Sequence, residues 1–477
     1  MMDLRRTRLI LVVVIALLAF PANLLATGQT PVSSETQLYI GHATHLTARI
    51  PAEWSPISTF PYVYGNDHGL FSATPIMAST IEEACQENTL SPGATITKTT
   101  WNDMPACEIR SPEPFLFGLP AVGLVLTHPK PFSYQGQTIS YISVSATPEH
   151  FDDILRTISF DLSWLSGPEI AHSILDLAEA HSLYRDMVDW DELRATADGV
   201  QSPGDVSPFI ERSVIRTLAQ VGDNHSFLLP PFDSEEENPF FEGTPSGEMR
   251  GPLGYINVPS VIGAASQDAY ITGAHTTIAG LESQACGWII DLRENFGGTT
   301  PTMIYALLPL LPEGDLYGSV YPSGTESWFG RQGDMLVYTS DDMTTPLALD
   351  VDVPFPSIEN PDAPIAVLVG PRTMSAAEWT TIALSGRDNS RSFGQPTAGL
   401  TTGQYGIAML DGSTLMLTTN AAIDTDGNVY TGKLQPDEWV TSQSRGGDAQ
   451  GNDGTIVAAE KWLLSQPACQ DVATPQP

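Results

Sequence analysis

Two short segments of this chain hold side chains suited to nucleophilic hydrolysis. In Val367-Leu-Val-Gly-Pro-Arg-Thr-Met-Ser375-Ala-Ala-Glu378 an apolar strand runs into a tight turn, and a serine then opens a helix. That placement exposes the hydroxyl at a strand's carboxyl end, where open α/β sheets put their sites. It also aims the first helix N–H groups and the positive end of the helix dipole at any oxyanion formed there. The same Ser-x-x-Glu spacing is a capping box, in which Ser375 and Glu378 do no more than satisfy helix N–H groups. Taken alone, this segment reads as the cap. The second segment, Asp291-Leu-Arg-Glu-Asn-Phe-Gly297-Gly298, repeats the strand-to-turn-to-helix texture. Its consecutive glycines permit positive φ and close backbone approach, so their N–H groups can line an oxyanion hole. Taken alone, it reads as a tight turn before a helix.

Two later segments follow in order: Gly394-Gln-Pro-Thr397-Ala-Gly399, and Asp426-Gly427 with Tyr430 and Pro436-Asp437. Together the four resemble the C-terminal-processing and tricorn-type serine peptidases, and come nearest in pattern to the Ser–His branch typified by the nisin resistance protein. The resemblance covers about residues 168 to 464. It implies Ser375 as nucleophile, with the N–H groups of Ala376 and of Gly297 or Gly298 as oxyanion hole. Processing peptidases carry a lysine directly after Gly-x-x-Thr-x-Gly, where this chain has Leu400; Lys98, Lys130, Lys433 and Lys461 are its only lysines and none fits. The other branches take a histidine from the preceding helical subdomain, in a Gly-Asp-x-His-Ser/Thr segment matched here by Gly222-Asp223-Asn224-His225-Ser226. The resemblance therefore implies His225 as base, although its spacing alone reads as a histidine in a helix-ending turn. An imidazole near its reference pKa of about 6.5 can take a serine proton at neutral pH. Tricorn's additional serine and late glutamate are not matched: Asn224 stands at the first position and Tyr430 or Lys433 at the second. A Ser–His dyad is the expectation. Only a short stretch separates Leu229 from Tyr255, too little for the PDZ domain that processing peptidases insert.

The elements that must position these residues follow from hydrophobic patterning. Residues 36–163 alternate as in strands, with short helical pieces near 79–85 and 150–158, and read as a small α+β domain. Residues 168–232 carry helical periodicity, with Ile170, Ile174, Leu177 and Ala178 on one face, and read as a helical subdomain carrying His225. An acidic, proline-containing stretch at 233–251 reads as a loop. Residues 252–465 alternate strands and helices and read as the α/β sheet core that the tail-specific and tricorn type implies, and 466–477 form a polar tail. Asp411-Gly412 between two apolar runs signals a hairpin.

With 56 acidic against 21 basic residues, the formal charge of −35 repels phosphate backbones and excludes nucleic acid as a partner. The resemblance implies a peptide or protein substrate as the partner. No cofactor or metal is implied, and Gly-x-Ser-x-Gly, His-Glu-x-x-His and Walker segments are missing from the sequence. Residues 1–27 read as an export signal, with three arginines before the apolar run Leu9–Phe20 and a cleavage point after Ala26; a retained anchor, the sole membrane contact, is the alternative. Export to an extracytoplasmic location permits disulfides, and the four cysteines would form two, Cys85–Cys107 by proximity and Cys286–Cys469 by elimination. The rival to a peptidase is a non-catalytic module on the same fold that binds an apolar ligand or peptide, with Ser375 a helix cap.

Overall fold

The structure is a computed structural model, and it describes residues 35–57, 60–88, 94–110, 119–134, 137–231, 243–262, 267–340, 343–347, 354–441 and 453–470. The expected export signal lies outside them, as does most of the acidic part of the 233–251 stretch. No helix among the described residues is long and apolar enough to cross a membrane.

Strands of the N-terminal unit form a seven-stranded antiparallel sheet, preceded by the hairpin Thr36–Gly41/Leu46–Pro51. Cys85, on the helix Ile81–Glu87, is bonded to Cys107 on the strand Met104–Arg110, which pins that helix against the sheet. The helical unit opens with Gly167–His181, whose Ser166 and Glu169 satisfy each other's backbone N–H groups as a capping box. Its last helical run passes through a π segment at Ile210–Ile215 and ends before Gly222, at φ 104°.

The centre of the C-terminal half is a six-stranded sheet in the order Ser246–Arg250, Leu253–Asn257, Gly287–Asp291, Ile365–Val369, Ser390–Gly394 and Glu438–Trp439; only the first pairing is antiparallel. Successive residues of a strand face opposite ways, so an apolar run without polar breaks needs cover on both sides. Here Ile290, Val367 and Val369 pack against the helices Gln267–Leu281, Thr300–Leu307 and Ala376–Ser385. Ile289, Ala366 and Leu368 face Gly454–Leu464. The catalytic-type segments both leave this sheet at its carboxyl edge.

Three features depart from the sequence reading. The 233–251 stretch is not loop throughout, since Ser246–Arg250 is an edge strand. The tail begins with a short helix, Pro467–Gln470, whose buried Cys469 is bonded to Cys286 at the foot of the central strand Gly287–Asp291. The half that reads as plain strand–helix alternation also contains a second, antiparallel eight-stranded sheet built on the long strand Thr414–Ile423. That strand pairs with Phe227–Leu229 just after His225, and with Thr402–Ala408 through the hairpin at Asp411-Gly412. One hydrophobic cluster joins the N-terminal sheet, the helix Gly167–His181 and the hairpin residues Ile407, Leu415 and Leu417. The Tyr62 hydroxyl donates to Gly406 O (2.8 Å) and accepts from Ala408 N (2.9 Å), so the N-terminal unit grips the edge of the Thr402–Ala408 strand.

Candidate active site

The two strand-ending segments are stitched together by buried hydrogen bonds. Met374 N–H donates to Asn295 O (3.1 Å), and the Thr373 hydroxyl donates to Leu292 O (2.8 Å) while accepting from Gly370 N–H (3.0 Å). The turn is thereby forced tight, and Ser375 sits at φ 53°, ψ −124°. It is one of four non-glycine residues with positive φ among the described residues, the others being His45, Asn102 and Asp103. A side chain held there costs on the order of 1–3 kcal/mol, strain of the kind that accumulates at functional sites.

Glu378 explains how the turn is held. Its fully buried carboxylate accepts from Ser375 N–H (3.0 Å) and Leu400 N–H (2.7 Å) on one oxygen, and from Gly399 N–H (2.8 Å) and the Thr397 hydroxyl on the other. Burial pushes its pKa up, and these four donors oppose the shift. Glu378 therefore plays its part of a capping box. Ser375 has its side chain in the capping-box arrangement, but the Glu378 N–H donates to the Ser375 carbonyl at 2.8 Å and the hydroxyl makes no cap hydrogen bond of its own.

Gly297 packs against the serine, and Gly298 against Val261. A Cβ on Gly297 (φ 104°) would lie 2.7 Å from Ser375 Cβ and 3.2 Å from Ala376 N, so nothing larger than glycine fits. A Cβ on Gly298 (φ 128°) would lie 1.9 Å from Val261 O. Gly297 N–H already donates to Asn295 Oδ1 (2.8 Å), whose Nδ2 ties the loop to Val258 O and Pro259 O at 3.0 Å each. Of the two glycines, Gly298 is the one whose N–H is unengaged among the described residues, as is that of Ala376 at the helix start. Asp291 and Arg293 are structural. Burial would raise the Asp291 pKa, but the two-pronged Arg293 pair (2.9 and 2.8 Å) outweighs it and the net shift is downward.

His225 is buried in the turn after the helical unit. Asp223 Oδ1 accepts from His225 N–H (2.9 Å), Ser226 N–H (3.0 Å) and the Thr418 hydroxyl (2.8 Å), fixing the turn to the strand Thr414–Ile423. The Gln404 amide donates to His225 O, and His225 Nδ1 lies 2.8 Å from Thr402 Oγ1. The expected pKa near 6.5 is corrected: burial pulls it to about 4, opposed by the Asp223 charge and the Thr402 backbone.

One segment touches both halves of the site. Thr397, Gly399 and Leu400 donate to the carboxylate behind Ser375, and Thr402 contacts the imidazole of His225. Leu400 and Thr402 are two residues apart, at most about 7 Å along the chain. Residues 432–434 brace this segment from outside: Thr401 Oγ1 donates to Gly432 O (2.9 Å), and Leu434 N–H donates to Thr397 Oγ1 (2.9 Å). The late motif thus serves as a buttress. Tyr430 hydrogen-bonds Asp424, and Asp437 accepts from Ser392. Lys433, set aside on spacing, packs its stem on Gly399 and is exposed. Sequence reasoning missed Asn295, Thr397 and Thr402 as site-building residues; only Asn295 and Thr397 stood inside a quoted motif.

The model of the family described as Peptidase family S41 matches residues 252–440. The nisin-resistance protein of Lactococcus lactis subsp. lactis is 26% identical over 278 residues, which span 55% of this chain and 83% of that protein. Among solved structures, a lipoprotein from Streptococcus agalactiae superposes with a TM-score of 0.51 at 22% identity, over 63% of this chain and 97% of its own, a likeness of fold.

Proposed function

We propose that this chain, a serine-type peptidase carrying a family S41 domain, is an extracytoplasmic endopeptidase that works through a Ser375 acyl-enzyme with His225 as general base. The observation that carries the reading is Ser375 itself: strained at φ 53°, with no hydrogen bond from its hydroxyl to the helix start, and seated on Gly297. His225 takes the Ser375 proton as Oγ attacks the scissile carbonyl carbon, and the oxyanion accepts from Ala376 and Gly298 N–H. His225 then protonates the leaving amine, and a water repeats the sequence to release the acid. Each oxyanion donor of this kind is worth about 10²–10³ in rate. Gly297 shapes the hole, because its own N–H is engaged by Asn295.

Two disulfides, Cys85–Cys107 and Cys286–Cys469, support an oxidising compartment. We assign residues 1–27 the role of export signal, cleaved after Ala26. Substrate is a peptide or protein. The test is hydrolysis of peptides blocked at both ends, with nisin as a separate substrate, by wild type and by Ser375→Ala. Internal cleavage by wild type alone is expected. Equal cleavage by both would refute the assignment, and attack only on free-ended peptides would refute the endopeptidase part.

A further inference from the structure

A base that cycles a proton must present a bare nitrogen to the nucleophile and keep its other nitrogen protonated throughout. In many Ser–His sites a carboxylate enforces this. Here no carboxylate bonds the His225 ring among the described residues; the one side chain that does is the Thr402 hydroxyl, 2.8 Å from Nδ1. We propose that Thr402 is the positioning residue of this peptidase, holding His225 in the Nδ1–H tautomer so that Nε2 faces Ser375; this rests on the reading of His225 as base.

Three features support it. Thr402 is buried, so its hydroxyl does not exchange this contact freely for water. It begins the strand that Leu400 ties to Glu378, so the group that orients the base and the group that orients the nucleophile belong to one short piece of chain. Finally, the Thr402 backbone favours the protonated ring against the pull of burial, the direction expected of an acceptor beside a ring N–H. With the Thr402 hydroxyl accepting from Nδ1–H, Nε2 is left as the lone-pair nitrogen. In the reaction Nε2 gains the Ser375 Oγ proton as the new C–O bond forms, then delivers it to the amine nitrogen as the C–N bond breaks. Nδ1–H remains on Thr402 in every state. A neutral acceptor steadies the imidazolium less than a carboxylate does, so the base stays weakly basic and is unprotonated well into the acid range.

The test compares wild type, Thr402→Val, Thr402→Ser and His225→Ala by their rates of reaction with a fluorophosphonate probe and their kcat and KM on fluorescein-labelled casein. Thr402→Val keeps the shape and removes the acceptor. The labelling rate and kcat should fall by about 10–100-fold, as when a histidine loses the partner that orients it, with KM nearly unchanged. Thr402→Ser should recover to within about 3-fold of wild type. In ¹⁵N-histidine NMR spectra of wild type at neutral pH, the His225 ring should show the Nδ1–H tautomer, a readout that survives even if Thr402→Val fails to fold. Wild-type rates in folded Thr402→Val beside an inert His225→Ala, or an Nε2–H tautomer, would overturn the positioning role and leave His225 as base. Full activity in His225→Ala would overturn both.

Discussion

Glu378→Gln changes one oxygen to an NH₂ group with almost no change of volume. In the native site four donors converge on the two carboxylate oxygens: Ser375 and Leu400 N–H on one, Gly399 N–H and the Thr397 hydroxyl on the other. An amide can accept on only one side. Facing its NH₂ toward Ser375 and Leu400 would set two backbone N–H groups against it. The other orientation sets one backbone N–H, Gly399, against it, along with a hydroxyl that already accepts from Leu434 N–H at 2.9 Å. The second orientation is therefore preferred. Each buried group left unsatisfied costs about 1–3 kcal/mol, so the variant should lose about 2–4 kcal/mol of stability. Urea unfolding should show the loss as a lower midpoint with an unchanged slope. The segment carrying Thr402 would also loosen from Ser375, and fluorophosphonate labelling should slow by at least about 10-fold in the folded protein. A Glu378→Gln protein within about 0.5 kcal/mol of wild type and labelling at the wild-type rate would refute the view that this carboxylate couples the two halves of the site.

Gly297→Ala places a methyl against Ser375 Cβ and Met374 O at a φ of 104°, and should abolish labelling while costing about 2–4 kcal/mol, read by thermal unfolding. Because burial lowers the His225 pKa to about 4, kcat/KM should rise with pH through an acid limb near 4 and stand flat by pH 6; a limb at or above 6.5 would contradict the burial argument. Stability has the same sign. His225, His42 and His45 are lowered to about 4, 3 and 4, so the unfolded chain binds protons that the folded one does not. Stability should be full above about pH 6.5 and fall as pH drops toward 4, by about 1.4 kcal/mol per unit for each group, in urea titrations at fixed pH. Lys433→Met should leave labelling within about 2-fold, and a loss of 100-fold or more would move the base from His225 to Lys433.

What was legible in the sequence was local. Ser375, Ala376 and the two glycines stand where a buried strand meets a helix start, and strand period, turn chemistry and helix periodicity all report that within ten residues or so. Glu378 was visible as a cap partner, but three of its four donors come from residues 397–400, a meeting that only the fold creates. Thr402 lies 177 positions from His225 and outside any motif. Burial of an imidazole likewise depends on elements far apart in the chain, so the reference value of about 6.5 was the natural expectation, and the fold shifts it downward. The second sheet escaped notice because its antiparallel strands interrupt, rather than replace, the strand–helix alternation of the central one.

The central claim is that Ser375 is an activated nucleophile and not a helix cap. Peptide mapping of wild-type protein after reaction with a fluorophosphonate tests it most directly. The account predicts a single covalent adduct on Ser375, absent from Ser375→Ala and strongly reduced in His225→Ala, with all three proteins folded. An unmodified Ser375 in a protein that still cleaves casein, or an adduct formed as fast without His225, would contradict it.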